Sequence, residues 1–232
     1  MLIASCGSLG TTTYRPVYSS QPTVDDTLGS YATDAATATD AGVTHLLEGA
    51  DLLDAGQPEA AHAELTKGID AMEEHYVRCA AVYTELGDTP EMASIVGMQA
   101  WVMFYLHKTR GFAAYEQSSM DLFVADLKDA IAWHDIFEPR ASSADFLDEV
   151  DAQTERDAGL CHAFLGVLYG SMDGTDSSAD HHIARADSLL AQDDPARALL
   201  ENGESAFDDA ASGSPFRAGG ALVPEFATIA QR

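Results

Sequence analysis

Leu46-Leu47-Glu48-Gly49-Ala50-Asp51-Leu52-Leu53-Asp54-Ala55-Gly56-Gln57-Pro58-Glu59-Ala60-Ala61 is the stretch that decides the fold. Leu46, Leu47, Ala50 and Leu53 recur at the three- and four-residue spacing of one helix face. Gly56 and Gln57 interrupt that face. Pro58 suits the first position of a new helix, where its fixed φ is preorganised and its missing N–H is not needed. Ala61, Leu65, Ile69, Met72 and Tyr76 then line a second apolar face, which continues as far as Leu86. Helix, tight turn and helix make a hairpin.

The same signals extend outward. Gly87-Asp88-Thr89-Pro90 stops one helix and starts the next, with Thr89 as N-cap and Pro90 at the first helical position. A third helix is expected over residues 91–107, through Ile95, Met98, Trp101, Val102 and Tyr105. Lys108-Thr109-Arg110-Gly111 reads as a break before a helix over residues 115–137, carrying Met120, Phe123, Val124, Leu127, Ile131 and Trp133. Glu138-Pro139-Arg140 ends it. A polar stretch from Ser143 becomes apolar over residues 160–169, the loop Met172-Asp173-Gly174-Thr175-Asp176 follows, and helices are expected over 178–192 and 195–209. Residues 25–41, rich in Ala, Thr and Asp, make a weak helix at best. The expected fold is all-α, stacked helical hairpins over residues 24–210. A tether over 1–23 precedes it, and a tail over 211–232 is expected to lie extended against the body through Leu222, Val223, Phe226 and Ile229.

The 232 residues carry 38 acids against 12 bases, a formal charge of −26. Such a surface repels nucleic acid phosphates and anionic lipid headgroups, so nucleic acid is not an expected partner. The acids are spread along the chain rather than blocked, which suits a solvated surface. No apolar run approaches the roughly 18 residues of a membrane span. Three cysteines, Cys6, Cys79 and Cys161, do not make a disulfide framework; the latter two read as small core residues on helices.

Two resemblances bear on architecture and address. Residues 45–69 resemble a tetratricopeptide repeat, a 34-residue pair of antiparallel helices. In that resemblance Gly49, Ala61 and Gly68 take its small contact positions, Leu52 and Leu65 its large apolar ones, and Gly56 the turn. A second copy is visible at Leu165-Gly166, Tyr169, Ala179, Ile183 and Ala186, and a partial third at Asp194-Pro195-Ala196-Arg197-Ala198. At the other end, Ile3-Ala4-Ser5-Cys6 resembles the lipobox of bacterial lipoproteins, with residues 7–23 as a Gly-, Ser-, Thr- and Pro-rich tether. Only five residues precede Cys6, none of them basic, so a full secretory signal calls for an in-frame basic and apolar extension before Met1. With Gly111-Phe112-Ala113-Ala114-Tyr115-Glu116-Gln117-Ser118-Ser119-Met120 added, the chain is similar to a group of bacterial tetratricopeptide-repeat-like lipoproteins without an assigned activity. That resemblance implies lipid on Cys6, a place in the cell envelope facing the periplasm, at the outer rather than the inner membrane, and a concave surface for a protein or peptide. It also implies attachment to the membrane by the lipid alone. Lys108, Arg110, Tyr115 and Glu116 are the residues expected to line the partner groove, with Glu116 in contact with Arg110 or Lys108.

Catalytic constellations are sparse. There is no glycine-flanked serine elbow, phosphate-binding glycine loop or His-Glu-x-x-His zinc motif. No cofactor is expected, and the protein is read as a non-catalytic scaffold. Asp173-Gly174-Thr175-Asp176 lacks the alternating acids of a calcium loop and reads as a turn. The alternative is a metal-binding protein or enzyme using His162, His181 and His182. Adjacent helix residues diverge by about 100°, which lets at most one of His181 and His182 join His162 on a shared face. A further alternative is a structural subunit, a homo-oligomer joined through the tail.

Overall fold

The computed structural model describes residues 24–86, 89–171 and 176–207. Its elements are α1 (Val24–Asp54), α2 (Pro58–Leu86), α3 (Pro90–Glu116), α4 (Met120–Phe137), a 3-10 segment (Glu138–Ser143), α5 (Asp145–Gly170), α6 (Asp176–Leu189), α7 (Arg197–Asn202) and a second 3-10 segment (Gly203–Ala206). The described residues contain no strand. The chain is all-α, and its helices pair in sequence as three hairpins, α1/α2, α3/α4 and α5/α6. Contacts run antiparallel in each: Gly42 against Met72 and Gly49 against Leu65, then Phe104 against His134 and Gly111 against Asp126, then Gly159 against Leu190 and Gly166 against Ile183. The helices of the first hairpin, 31 and 29 residues long, run well past a 34-residue repeat unit.

Local chemistry sets the turns. After α1, Gly56 has φ +68°, its N–H bonds Leu53 O at 2.9 Å, and the Gln57 N–H reaches Leu52 O at 2.9 Å. That is a Schellman cap, which needs a left-handed residue where Gly56 stands. Gln57 O then accepts from Ala61 N–H at 2.9 Å, so α2 starts at once with Pro58 in its first turn. Thr89 caps α3 by accepting from Met92 N–H at 3.3 Å, with Pro90 following, as the sequence predicts.

The break expected at residues 108–111 does not occur: α3 runs on to Glu116. Gly111 is a packing glycine, since a Cβ there would lie 3.2 Å from Asp126 Cβ on α4. The chain turns instead at Gln117-Ser118-Ser119. Ser118 N–H bonds Tyr115 O at 2.8 Å, Ser119 N–H bonds Ala114 O at 2.9 Å, and Ser118 has φ +59°. This is the Gly56 arrangement built on serine, so no glycine marks it in the sequence. Gln117 Nε2 donates to Pro58 O at 3.1 Å, tying this turn to the one before α2 and setting the two hairpin turns at the same end.

α3 is the centre of the molecule. It packs on α1, α2, α4, α5 and the first 3-10 segment, and residues 99–109 are buried without a break. A helix buried all round belongs in the core of a layered bundle, not on its surface. Phe112, Phe123 and Phe164 meet beneath Tyr115 and Phe207, with ring centroids 4.9 to 6.1 Å apart, joining α3, α4, α5 and the C-terminal segment. The weak helix expected over residues 25–41 is part of continuous α1. Tyr31 and Ala35 are buried against Met92 and Val96, and that packing supplies what propensity lacks. The helices expected over 178–192 and 195–209 are α6 and the shorter α7. The tether, the tail, Cys6 and the turn at residues 172–175 lie outside the described residues. Among the described residues no helix is long and apolar enough to cross a membrane.

Candidate functional site

The residues expected to line a partner groove sit on the last two turns of α3. Lys108 is 2% exposed, and its Nζ lies 2.6 Å from Asp157 Oδ2 on α5. It is therefore a core residue and not part of a groove. Burying both charges demands such a partner, because an isolated ammonium in the core would cost far more than the helix gains. Asp157 Oδ1 also accepts from Gln153 Nε2 at 3.1 Å and lies 3.7 Å from Arg156, which pairs onward with Asp194. Tyr105 packs under Lys108, its ring centroid 5.2 Å from Nζ. Burial and the neighbouring Asp157 carboxylate push the Tyr105 hydroxyl well above its ordinary pKa. Cys161, on the same side of α5, has its thiol pushed up to about 12 by burial. It stays protonated and inert, as a small core residue.

Arg110 turns toward α4. Its Nε and Nη2 donate to Asp126 at 3.0 and 2.6 Å, and its Nη1 donates to Thr66 at 3.3 Å. His107 Nδ1 lies 3.3 Å from the same carboxylate. Burial alone would raise the Asp126 pKa, but the bonds from His107 and Arg110 hold it below its ordinary value. Tyr115 is half-buried in the aromatic cluster, and Glu116 is half-buried at the end of α3. The acids facing Arg110 and Lys108 are Asp126 and Asp157, in place of the expected Glu116. Lys108 thus belongs to the buried framework, while Arg110, Tyr115 and Glu116 are part-exposed. Sequence reasoning passed over Asp126 and Asp157 because they lie 16 and 49 residues from their partners, where spacing carries no signal.

The histidine alternative fares differently. His162 on α5 and both His181 and His182 on α6 come together, with ring centroids 5.0 Å (162–182), 5.4 Å (181–182) and 6.2 Å (162–181) apart. As expected, one of the adjacent pair joins His162: His182 bonds it, while His181 stays exposed with its ring 6.2 Å away. α6 approaches α5 closely here. A Cβ on Gly166 would stand 2.8 Å from Ile183 Cγ1 and 3.6 Å from His182 Cβ, so glycine is what permits the approach. His162 Nδ1 and His182 Nδ1 are 2.8 Å apart, a hydrogen bond between imidazoles. Tyr169 stacks on His182 at 5.6 Å and 27°, and Lys128 Nζ lies 5.1 Å from the centre of the Tyr169 ring. Burial, then the neighbouring His182 and Arg185, push His162 down to about 3, while burial, His181 and Lys128 push His182 down to about 4. Both imidazoles are neutral at neutral pH.

Among the described residues three histidine–carboxylate groups, unmarked by sequence spacing, bring their ligand atoms within 4.8 Å of one another: His45, Glu48 and Glu64; His107, Asp126 and Asp129; His134, Asp135 and Glu138. In each a protein cation already holds one carboxylate. Lys67 is 2.6 Å from Glu64, Arg110 is 2.6 Å from Asp126 and Arg185 is 2.8 Å from Glu138.

Compared with family models, curated proteins and solved structures, the chain matches none.

Proposed function

We propose that this protein is a non-catalytic helical-hairpin scaffold which binds a protein or peptide at the cell envelope, tethered through lipid on Cys6 in the manner of bacterial tetratricopeptide-like lipoproteins. The observation that carries the scaffold reading is the fate of the basic side chains. Lys67, Lys108, Arg110, Arg156, Arg185 and Arg197 each pair with a carboxylate of this chain. All of these but Lys67, which pairs within α2, join one segment to another, and the outer faces are left with the acidic excess. A rigid acidic stack favours a partner segment of basic character, whose approach such a field accelerates.

The lipid anchor rests on Ile3-Ala4-Ser5-Cys6 and the run after it, which holds no acidic residue. Membrane fractionation in the native host, with mass spectrometry of the peptide containing Cys6, tests it. The expected result is a diacylglyceryl-modified Cys6 in the membrane fraction and release of a Cys6→Ser variant. An unmodified Cys6 in the soluble fraction of wild type overturns the anchor.

A further inference from the structure

We propose that His162, His182 and His181 form a three-imidazole site for one divalent transition cation, a property beyond the scaffold reading and independent of it. The ring positions carry the inference. A metal–nitrogen bond of about 2.0–2.1 Å puts an imidazole centroid about 3.2 Å from the ion. Rings that share one ion therefore stand roughly 4.5–6.4 Å apart, and the three here are 5.0, 5.4 and 6.2 Å apart.

His162 Nδ1 and His182 Nδ1 are 2.8 Å apart and point at each other, so an entering ion replaces their hydrogen bond as both rings tilt to meet it. Imidazole nitrogen suits Cu2+, Ni2+ and Zn2+, with Cu2+ bound tightest of the three. The imidazole hydrogen now between the two Nδ1 atoms moves to an Nε2 atom when the ion takes both lone pairs, so no proton is lost. His181 is exposed, and its ring nitrogens do not yet converge with the other two. Rotation about its χ1 and χ2, open to an exposed side chain, brings one in.

The surroundings hold the pair ready. His162 is 3% exposed, and Tyr169 fixes the plane of His182 by stacking. Gly166 sets the spacing of the two helix backbones. The nearest cations are occupied, Arg185 with Glu138 at 2.8 Å and Lys128 over the Tyr169 ring. No carboxylate of the three mixed groups is needed.

The test uses the full chain, stripped with EDTA, desalted and titrated with CuSO4 and separately with NiCl2 by calorimetry. Electron paramagnetic resonance of the copper form counts nitrogen ligands. One retained equivalent with three nitrogens is expected. His182→Gln should weaken binding at least ~100-fold by removing one of the two preset ligands, and His181→Ala ~10-fold or more by removing the exposed one. Circular dichroism checks that each variant is folded, and His181, on the surface, gives a variant whose folding is not in question. Absence of a retained equivalent in wild type overturns the site. So does unchanged affinity in His181→Ala and His182→Gln, or loss of binding in the control His45→Gln.

Discussion

Lys108 Nζ and Asp157 Oδ2 meet 2.6 Å apart in the middle of the bundle, with side-chain exposures of 2% and 4%. The pair joins α3 to α5 and so ties the second hairpin to the third. Its removal should be asymmetric. Lys108→Met strands a buried carboxylate and should cost about 3–5 kcal/mol, whereas the double variant Lys108→Met/Asp157→Leu should be near neutral or more stable than wild type. Urea unfolding followed by circular dichroism checks both, and a double variant as weak as the single one contradicts this account of the pair.

Ser118 performs a glycine's task at φ +59°. Ser118→Gly should therefore stabilise the protein by about 0.5–1 kcal/mol, and Ser118→Val should destabilise it by at least as much, read as a shift in urea midpoint. Equal midpoints for the three proteins would show that the turn relaxes freely.

Two helix glycines should respond in opposite directions to the same change. Alanine normally gains about 1 kcal/mol over glycine inside a helix. At Gly49, however, the added Cβ would lie 2.5 Å from Leu65 Cγ, so Gly49→Ala should lose about 1–3 kcal/mol by overpacking. At Gly170 the added Cβ meets only Ala179 Cβ, at 4.0 Å, and Gly170→Ala should gain a few tenths to about 1 kcal/mol. Thermal unfolding of the two variants decides the matter by the sign of each shift in Tm.

Acid should weaken the metal-free fold through its histidines. Burial, with neighbouring positive groups, puts His162 at about 3 and His182 at about 4, and burial also lowers His134. The unfolded chain, with imidazoles near 6.5, then binds more protons than the folded one, so stability rises with pH. The contribution is complete above about pH 6.5 and fades as pH falls toward about 4 and then 3. Urea midpoints measured in EDTA between pH 7.5 and 4.5 should fall with acid, less steeply in His182→Gln. Identical slopes for the two proteins would remove His182 from the explanation.

Much of the fold is legible in the sequence wherever a local signal exists. Gly56 and Pro58 mark the first turn, Thr89 and Pro90 start α3, and Pro139 stands where α4 gives way to the 3-10 segment. Where no residue type announces a conformation, the reading slips. Ser118 turns the chain without glycine, and Gly111, which looks like punctuation, is a point of contact between α3 and α4. Lys108, one of the expected partner residues, slipped for a related reason. Lys108 is charged and therefore reads as surface, and only Asp157, 49 residues later, makes its burial tolerable.

By itself, then, the sequence determined the all-α class, the hairpin turn between α1 and α2 and the close contact at Gly49, because caps, turns and apolar periodicity act within a few residues of one another. Tertiary structure alone decided which charges are inside, and that His182 bonds His162 while His181 stays exposed beside them. Those outcomes depend on how closely separate helices approach, as α5 and α6 do at Gly166, and spacing along a single helix carries no record of that distance.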